Sequence, residues 1–150
     1  MLWNKRSILL SVIFIFLGSQ ALQADDVAVV FLKAVRGDVM IRSLGEPEWH
    51  APHQGMALEE TTEIRTGSQA QVLIWLDQDE RIGKISMADN GVFRFALLRR
   101  EDGERKTVIE LGKGTLTVQG DTQRKTSGLE IRTPTGRVAV KDAAMRFTVE

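Results

Sequence analysis

From Val27 to Glu150 the chain is written in short segments whose apolar residues fall at every second position. Phe93, Phe95 and Leu97 alternate with Arg94 and Ala96, and Leu116 and Val118 alternate with Thr115 and Thr117. Leu129 and Ile131 alternate with Glu130 and Arg132, and Met145, Phe147 and Val149 with Arg146, Thr148 and Glu150. A two-residue period puts apolar side chains on one face of an extended strand and polar ones on the other, a pattern that does not suit a helix. Such segments are buried by pairing into a sheet with one face on a core and the other on water. Between them stand Arg36-Gly37-Asp38, Thr66-Gly67-Ser68, Asp89-Asn90-Gly91, Glu101-Asp102-Gly103, Gly112-Lys113-Gly114 and Ser127-Gly128. Turns at that spacing predict an all-β single domain of short antiparallel or coiled strands, as a β-solenoid-like roll or a β-sandwich. Asn90-Gly91 and Asp102-Gly103 are the strongest hairpin signals, because both residues of each pair tolerate positive φ. Gly112-Lys113-Gly114 reads as a turn.

Three segments, Val27 to Leu32, Val72 to Leu76 and Val138 to Val140, are apolar at successive positions, which predicts strands covered on both faces. Gly55 to Ile64 is rich in helix formers, and propensity alone would accept a short helix from Met56 to Glu60. The paired Thr61-Thr62 and the following Arg65-Thr66-Gly67 cut it short. No Ser/Gly linker, low-complexity tract or long charge block divides the chain, so residues 27–150 read as one domain.

The first residues are different in kind. Met1 to Arg6 carries Lys5 and Arg6, and Ser7 to Leu17 is an uncharged run dominated by Ile, Leu, Val and Phe. A bilayer-spanning helix needs roughly 20 apolar residues. The run is shorter, and with Ser19 and Ala21 as the small residues at −3 and −1 it has the form of a secretory signal over residues 1–21, cleaved after Ala21. Cleavage after Ala24 would put Leu22 at −3, and retention as an N-terminal anchor is the competing reading. The expected location is the periplasm, with no stable membrane span once the signal is removed.

The chain holds no cysteine, so an exported domain must stand on its core without disulfides. Thiolate zinc sites and thiol nucleophiles are excluded by the same fact. Lys plus Arg and Asp plus Glu number 20 each, and loss of Lys5 and Arg6 leaves 18 basic against 20 acidic residues. That balance offers nucleic acid no bulk attraction.

Few residues suggest chemistry. His50 and His53 form an H-x-x-H, but Pro52 between them spoils the helical spacing that would align two imidazoles, and no third ligand is placed. No Gly-x-Ser-x-Gly elbow anchors a triad, and Gly112-Lys113-Gly114 lacks the ending of a phosphate loop. Asp77 and Asp79 could flank a glycosidic bond in an envelope polysaccharide hydrolase, although carboxylates on an exposed turn more often serve solvation. Arg99-Arg100, Glu101, Glu104 and Arg105-Lys106 make a mixed-charge tip expected to be a solvated loop. Trp49, between Pro47 and Pro52 in a polar loop, is either a cap folded onto the core edge, the preferred reading, or an exposed anchor for a partner.

The order of landmarks resembles the FecR domain, a periplasmic all-β module. The correspondence runs through the strand Val29 to Ala34, Gly37, the strand Val39 to Ile41, Trp49, Gly55, Leu58, Ile64-Arg65-Thr66-Gly67, the strand Ala70 to Leu76, Leu111 to Gly114, and Thr133-Pro134 leading into Val138-Ala139-Val140. The resemblance implies that Gly37, Gly55, Thr66, Gly67, Thr133 and Pro134 are structural signature positions and that Trp49 is a recurrent structural element. It also implies a non-enzymatic binding, scaffolding or signalling module whose partner is an envelope protein or a cell-wall component, with no cofactor. The family's regulators carry a cytoplasmic sigma-factor-binding segment; only six residues precede the hydrophobic run here, so the expectation is a stand-alone periplasmic domain. Three positions depart from the family pattern: Thr61-Thr62 replaces a Gly-Asp, Asp77 to Glu80 lacks a turn glycine, and Lys141 to Met145 replaces an Arg-Gly-Thr-x-Phe element.

Overall fold

The two-residue period resolves into eleven strands and, among the described residues, no helix. The computed structural model describes residues 28–76, 83–101, 104–120, 128–141 and 144–150. The signal segment with its cleavage positions, Asp77 to Glu80, the Asp102-Gly103 tip and Asp142-Ala143 lie outside them. In chain order the strands are β1 (Val30–Arg36), β2 (Val39–Ser43), β3 (Ala57–Leu58), β4 (Thr62–Thr66), β5 (Gln71–Trp75), β6 (Gly83–Met87), β7 (Val92–Glu101), β8 (Glu104–Gly120), β9 (Leu129–Thr133), β10 (Gly136–Ala139) and β11 (Ala144–Val149).

Antiparallel neighbours follow the order β2-β4-β7-β8-β6-β5-β1-β3, eight strands of one sheet that curls into a half-barrel. The curl has a simple origin. Strands β1 and β2 do not pair with each other, nor do β4 and β5, nor β6 and β7; each couple carries the chain from one leaf of the sheet to the other. Strand β8 makes the same passage unbroken, pairing with β7 through Lys113 and with β6 and β11 beyond it. One leaf therefore contains β2, β4, β7 and the first part of β8, extended by β9 and β10. The other contains β3, β1, β5, β6, the last part of β8, and β11.

The four crossings lie side by side and bond to one another. Gly67 N donates to Asp38 O at 2.8 Å, Asn90 N to Gly67 O at 3.0 Å, and Ala88 N to Thr115 O at 3.1 Å. Two glycines are obligatory at this corner. Gly37 has φ +74°, and a Cβ there would stand 2.9 Å from Ala70 Cα; Gly114 has φ +97°, and its Cβ would stand 2.6 Å from Gly91 Cα. A side chain at either position would meet both backbone strain and a clash. Strands that turn a corner between packed layers commonly need such bulges and bends.

The leaves close on one core. Ile41, Ile64, Phe93, Phe95, Leu111 and Ile131 from the first meet Leu32, Val72, Ile74, Ile85, Leu116 and Val118 from the second in a continuous apolar cluster. Phe93 and Phe95 pack edge to face, centroids 5.7 Å apart at 75°. Full burial of side chains this size contributes about 1.5–3 kcal/mol each. Of the two arrangements left open by the sequence, this one packs face to face around a single core as a sandwich does, while remaining one sheet.

Several local expectations are corrected. Val138 to Val140 is not covered on both faces: β10 pairs only with β9, its four residues are exposed, and Val140 alone is buried. In β1 and β5 one face is buried while Phe31, Leu73 and Trp75 look outward half-exposed. Asn90 does adopt φ +53°, yet Asn90-Gly91 links β6 to β7 across the corner and closes no hairpin. Gly112 to Gly114 lies within β8 at its bend, so it is no turn between strands, and β8 at 17 residues is far from short. The hairpin signal at Asp102-Gly103 is matched by the pairing of Glu101 with Glu104. Gly55 to Ile64 holds β3 and the start of β4, in line with the threonines and the Arg65-Thr66-Gly67 that cut its helical propensity short.

Candidate binding surface

Because side chains alternate, residues next to the buried rows face outward, and cross-strand register lines them up. On the first leaf Arg42, Glu63, Arg94, Glu110, Arg132 and Arg137 stand opposite one another, strand by strand, in a single row. Arg42 pairs with Glu63 at 3.1 Å, Arg94 pairs with Glu110, and Arg132 turns to Glu130 at 2.6 Å. Opposite charges facing across strands each contribute a few tenths to about 1 kcal/mol.

Trp49 is set against one end of this row. After β2 the chain doubles back, and Ile41 and His50 exchange two backbone hydrogen bonds of 2.8 Å along the strand's edge. That places the indole over the outer face, with the Arg42 guanidinium 4.3 Å and the Arg65 guanidinium 4.4 Å from a ring centroid. The ring is half-buried and outside the core cluster, so it caps the sheet's outer face and not the core edge. Guanidinium contacts of this kind contribute about 0.5–1 kcal/mol each at exposed sites and hold the ring in one pose. Beside it opens a cleft of ≈ 210 Å³, floored by Ile41 and Leu58 and rimmed by Glu46, His50 and Glu59. The sequence reading missed Arg42 and Arg65; their place next to Ile41 and Ile64 in the alternation was the available signal.

The other singled-out residues fall in separate places. Gly37, Thr66 and Gly67 build the corner; the Thr66 hydroxyl donates to Ala88 O at 2.7 Å and accepts from Gly91 N at 2.9 Å. Gly55, at φ +86°, donates its N–H to Leu32 O and so ties the loop to β1. Thr133 closes β9 opposite Gly136, and Pro134 opens the two-residue turn Pro134-Thr135 that joins β9 to β10. His50 and His53 join no cluster of three potential metal ligands among the described residues. The mixed-charge segment is paired strand and not a loop, Arg99 to Glu101 ending β7 and Glu104 to Lys106 opening β8; Glu101 pairs with Lys106, and Arg99 reaches Glu60 before β4 at 3.5 Å. The Lys106 ammonium, by hydrogen bond and by charge, holds the Glu101 carboxyl below the ordinary carboxylate range.

Comparison with protein-family models, with curated proteins and with solved structures finds no match for this chain.

Proposed function

We propose that this chain carries a FecR-type domain, exported to the periplasm through its N-terminal signal and acting there as a non-enzymatic binding or scaffolding module. The observation that carries the reading is Trp49, fixed half-exposed on the outer face by Arg42 and Arg65. A rigid amphipathic ring flanked by two guanidiniums, on a return segment pinned to β2 by the Ile41–His50 bridge, is the residue composition of a protein-contact anchor. The placement of Gly37, Thr66 and Gly67 supports the family resemblance, because these positions carry the backbone conformations and hydrogen bonds on which the corner depends.

The test has two arms. Osmotic-shock fractionation is expected to release a chain shortened by residues 1–21, and recovery of the unprocessed chain in the cytosol overturns the export reading. A photo-crosslinking amino acid at position 49 is expected to yield a discrete adduct with one envelope protein, while the same residue at Ser68 on the exposed corner yields none. Indistinguishable patterns from the two positions overturn the role of Trp49.

A further inference from the structure

The two leaves differ in one respect that their common core hides. Every ion pair found among the described residues belongs to the first leaf or its hairpin tip. The strands of the second leaf, β1, β3, β5, β6, β11 and β8 from Gly114 onward, contain no aspartate and no glutamate. They do contain Lys33, Arg36, Lys84 and Arg146, all exposed and, among the described residues, without a carboxylate partner. The strands of the second leaf thus present cations with no carboxylate among them, whereas those of the first leaf mix both signs.

What lies between those cations is also specific. Phe31 stands directly opposite Trp75, which stands opposite Lys84, and Lys33, the extra residue of a bulge in β1, holds its ammonium 4.0 Å from the Trp75 ring centroid. The neighbouring row runs through Ser86 and Thr117 to Arg146. Adjacent strands are spaced about 4.8 Å apart, so aromatic, hydroxyl and cationic groups recur at close to the spacing of sugar units in a chain laid across the strands. Aromatic rings offer apolar faces to C–H surfaces, hydroxyls offer hydrogen bonds, and a group of cations with no carboxylate among them attracts an anion.

We infer that the outer face of the second leaf binds an anionic glycan, a polysaccharide carrying carboxylate or phosphate groups. This deepens the binding reading above by naming a face and a ligand class, and it rests on that reading; because it is titrated on the purified chain and concerns the opposite leaf, its failure is separate from failure of the Trp49 contact or of export. Charge complementarity selects the ligand's sign, and the Phe31–Trp75 pair with its adjoining hydroxyls selects sugar over a plain polyacid.

The experiment titrates the full chain with alginate oligosaccharides, neutral dextran oligosaccharides, poly-L-glutamate and phosphatidylglycerol vesicles, following tryptophan fluorescence and calorimetric heat. Alginate is expected to bind, with an affinity that falls as salt rises, and the other three to bind at least about tenfold more weakly. The double variant Lys84→Gln with Arg146→Gln is expected to lose about tenfold for alginate, whereas Arg100→Gln with Arg137→Gln, which removes the same charge from the first leaf, changes little. Both pairs are exposed, and thermal melts monitor their folding. Absence of alginate binding, equal binding of poly-L-glutamate, preference for the vesicles, or equal losses in the two double variants each overturns the proposal.

Discussion

Two buried threonines make opposite use of the same hydroxyl. Thr66 gives its proton to Ala88 O and takes one from Gly91 N, so a single side chain joins two neighbouring crossings at the corner. Thr107, 2 % exposed between Leu98 and Leu129, has a buried hydroxyl with no hydrogen-bond partner among the described residues. Replacing a hydroxyl by a methyl of the same shape therefore has different consequences at the two sites. Thr66→Val leaves the Gly91 N–H unsatisfied and is expected to cost about 2 kcal/mol, while Thr107→Val is expected to be neutral or to stabilise by up to about 1 kcal/mol. Urea unfolding of both variants measures the difference, and equal destabilisation would contradict it. The sequence pointed to Thr66-Gly67 as a turn, and the turn is there. It held no sign of the hydroxyl's partners, because Ala88 and Gly91 approach only once the crossings are stacked.

Among the elements, β8 shows how far local chemistry reaches. Its glycines read as a turn in the sequence because glycine at positive φ is what turns use. A long strand bending between two leaves needs the same backbone conformation, and Asn90-Gly91 is open to the same confusion with a hairpin. What separates corner from hairpin is which distant strand lies alongside, and no window of neighbouring residues contains that information. The alternation itself was legible: Phe93, Phe95, Leu116, Val118, Leu129 and Ile131 are all buried. The valine run at Val138 to Val140 misled because hydrophobicity says how well a residue tolerates burial, while an outermost strand has nothing to be buried against. Gly114→Ala is expected to destabilise by about 1–3 kcal/mol from backbone strain alone, and by more from its approach to Gly91. A thermal melt against Gly136→Ala, where a Cβ meets nothing within 4 Å, isolates the corner's contribution. Comparable losses in the two variants would remove the special role of the bend.

Across the whole molecule, one core shared by two leaves implies one folding transition. Trp49 reports on the first leaf and Trp75 on the second, so chains retaining only one of them, with the other and Trp3 changed to Phe, are expected to unfold with denaturation profiles that each match their own circular-dichroism signal. A midpoint for one leaf that departs from the backbone signal would show the leaves to be separately stable. The charge asymmetry between the leaves belongs to this scale as well. Each Lys, Arg and Glu is visible in the sequence, but sorting them into a paired row and an unpaired face takes the full topology, since Arg42, Glu63, Arg94 and Glu110 come from four different strands. At the corner the chain passes between leaves in two to four residues, three times by a short link and once inside β8, and every passage is bonded or packed against the next. Length change is thus barred from that end of the molecule: a loop spliced in at Ser68 would prise open its neighbours, whereas one placed at Pro47, on the exposed return between β2 and β3, extends into solvent. Descendants of this sequence can vary in size only at the ends of the leaves remote from the corner, which is where a spliced tag or a second module should be sited.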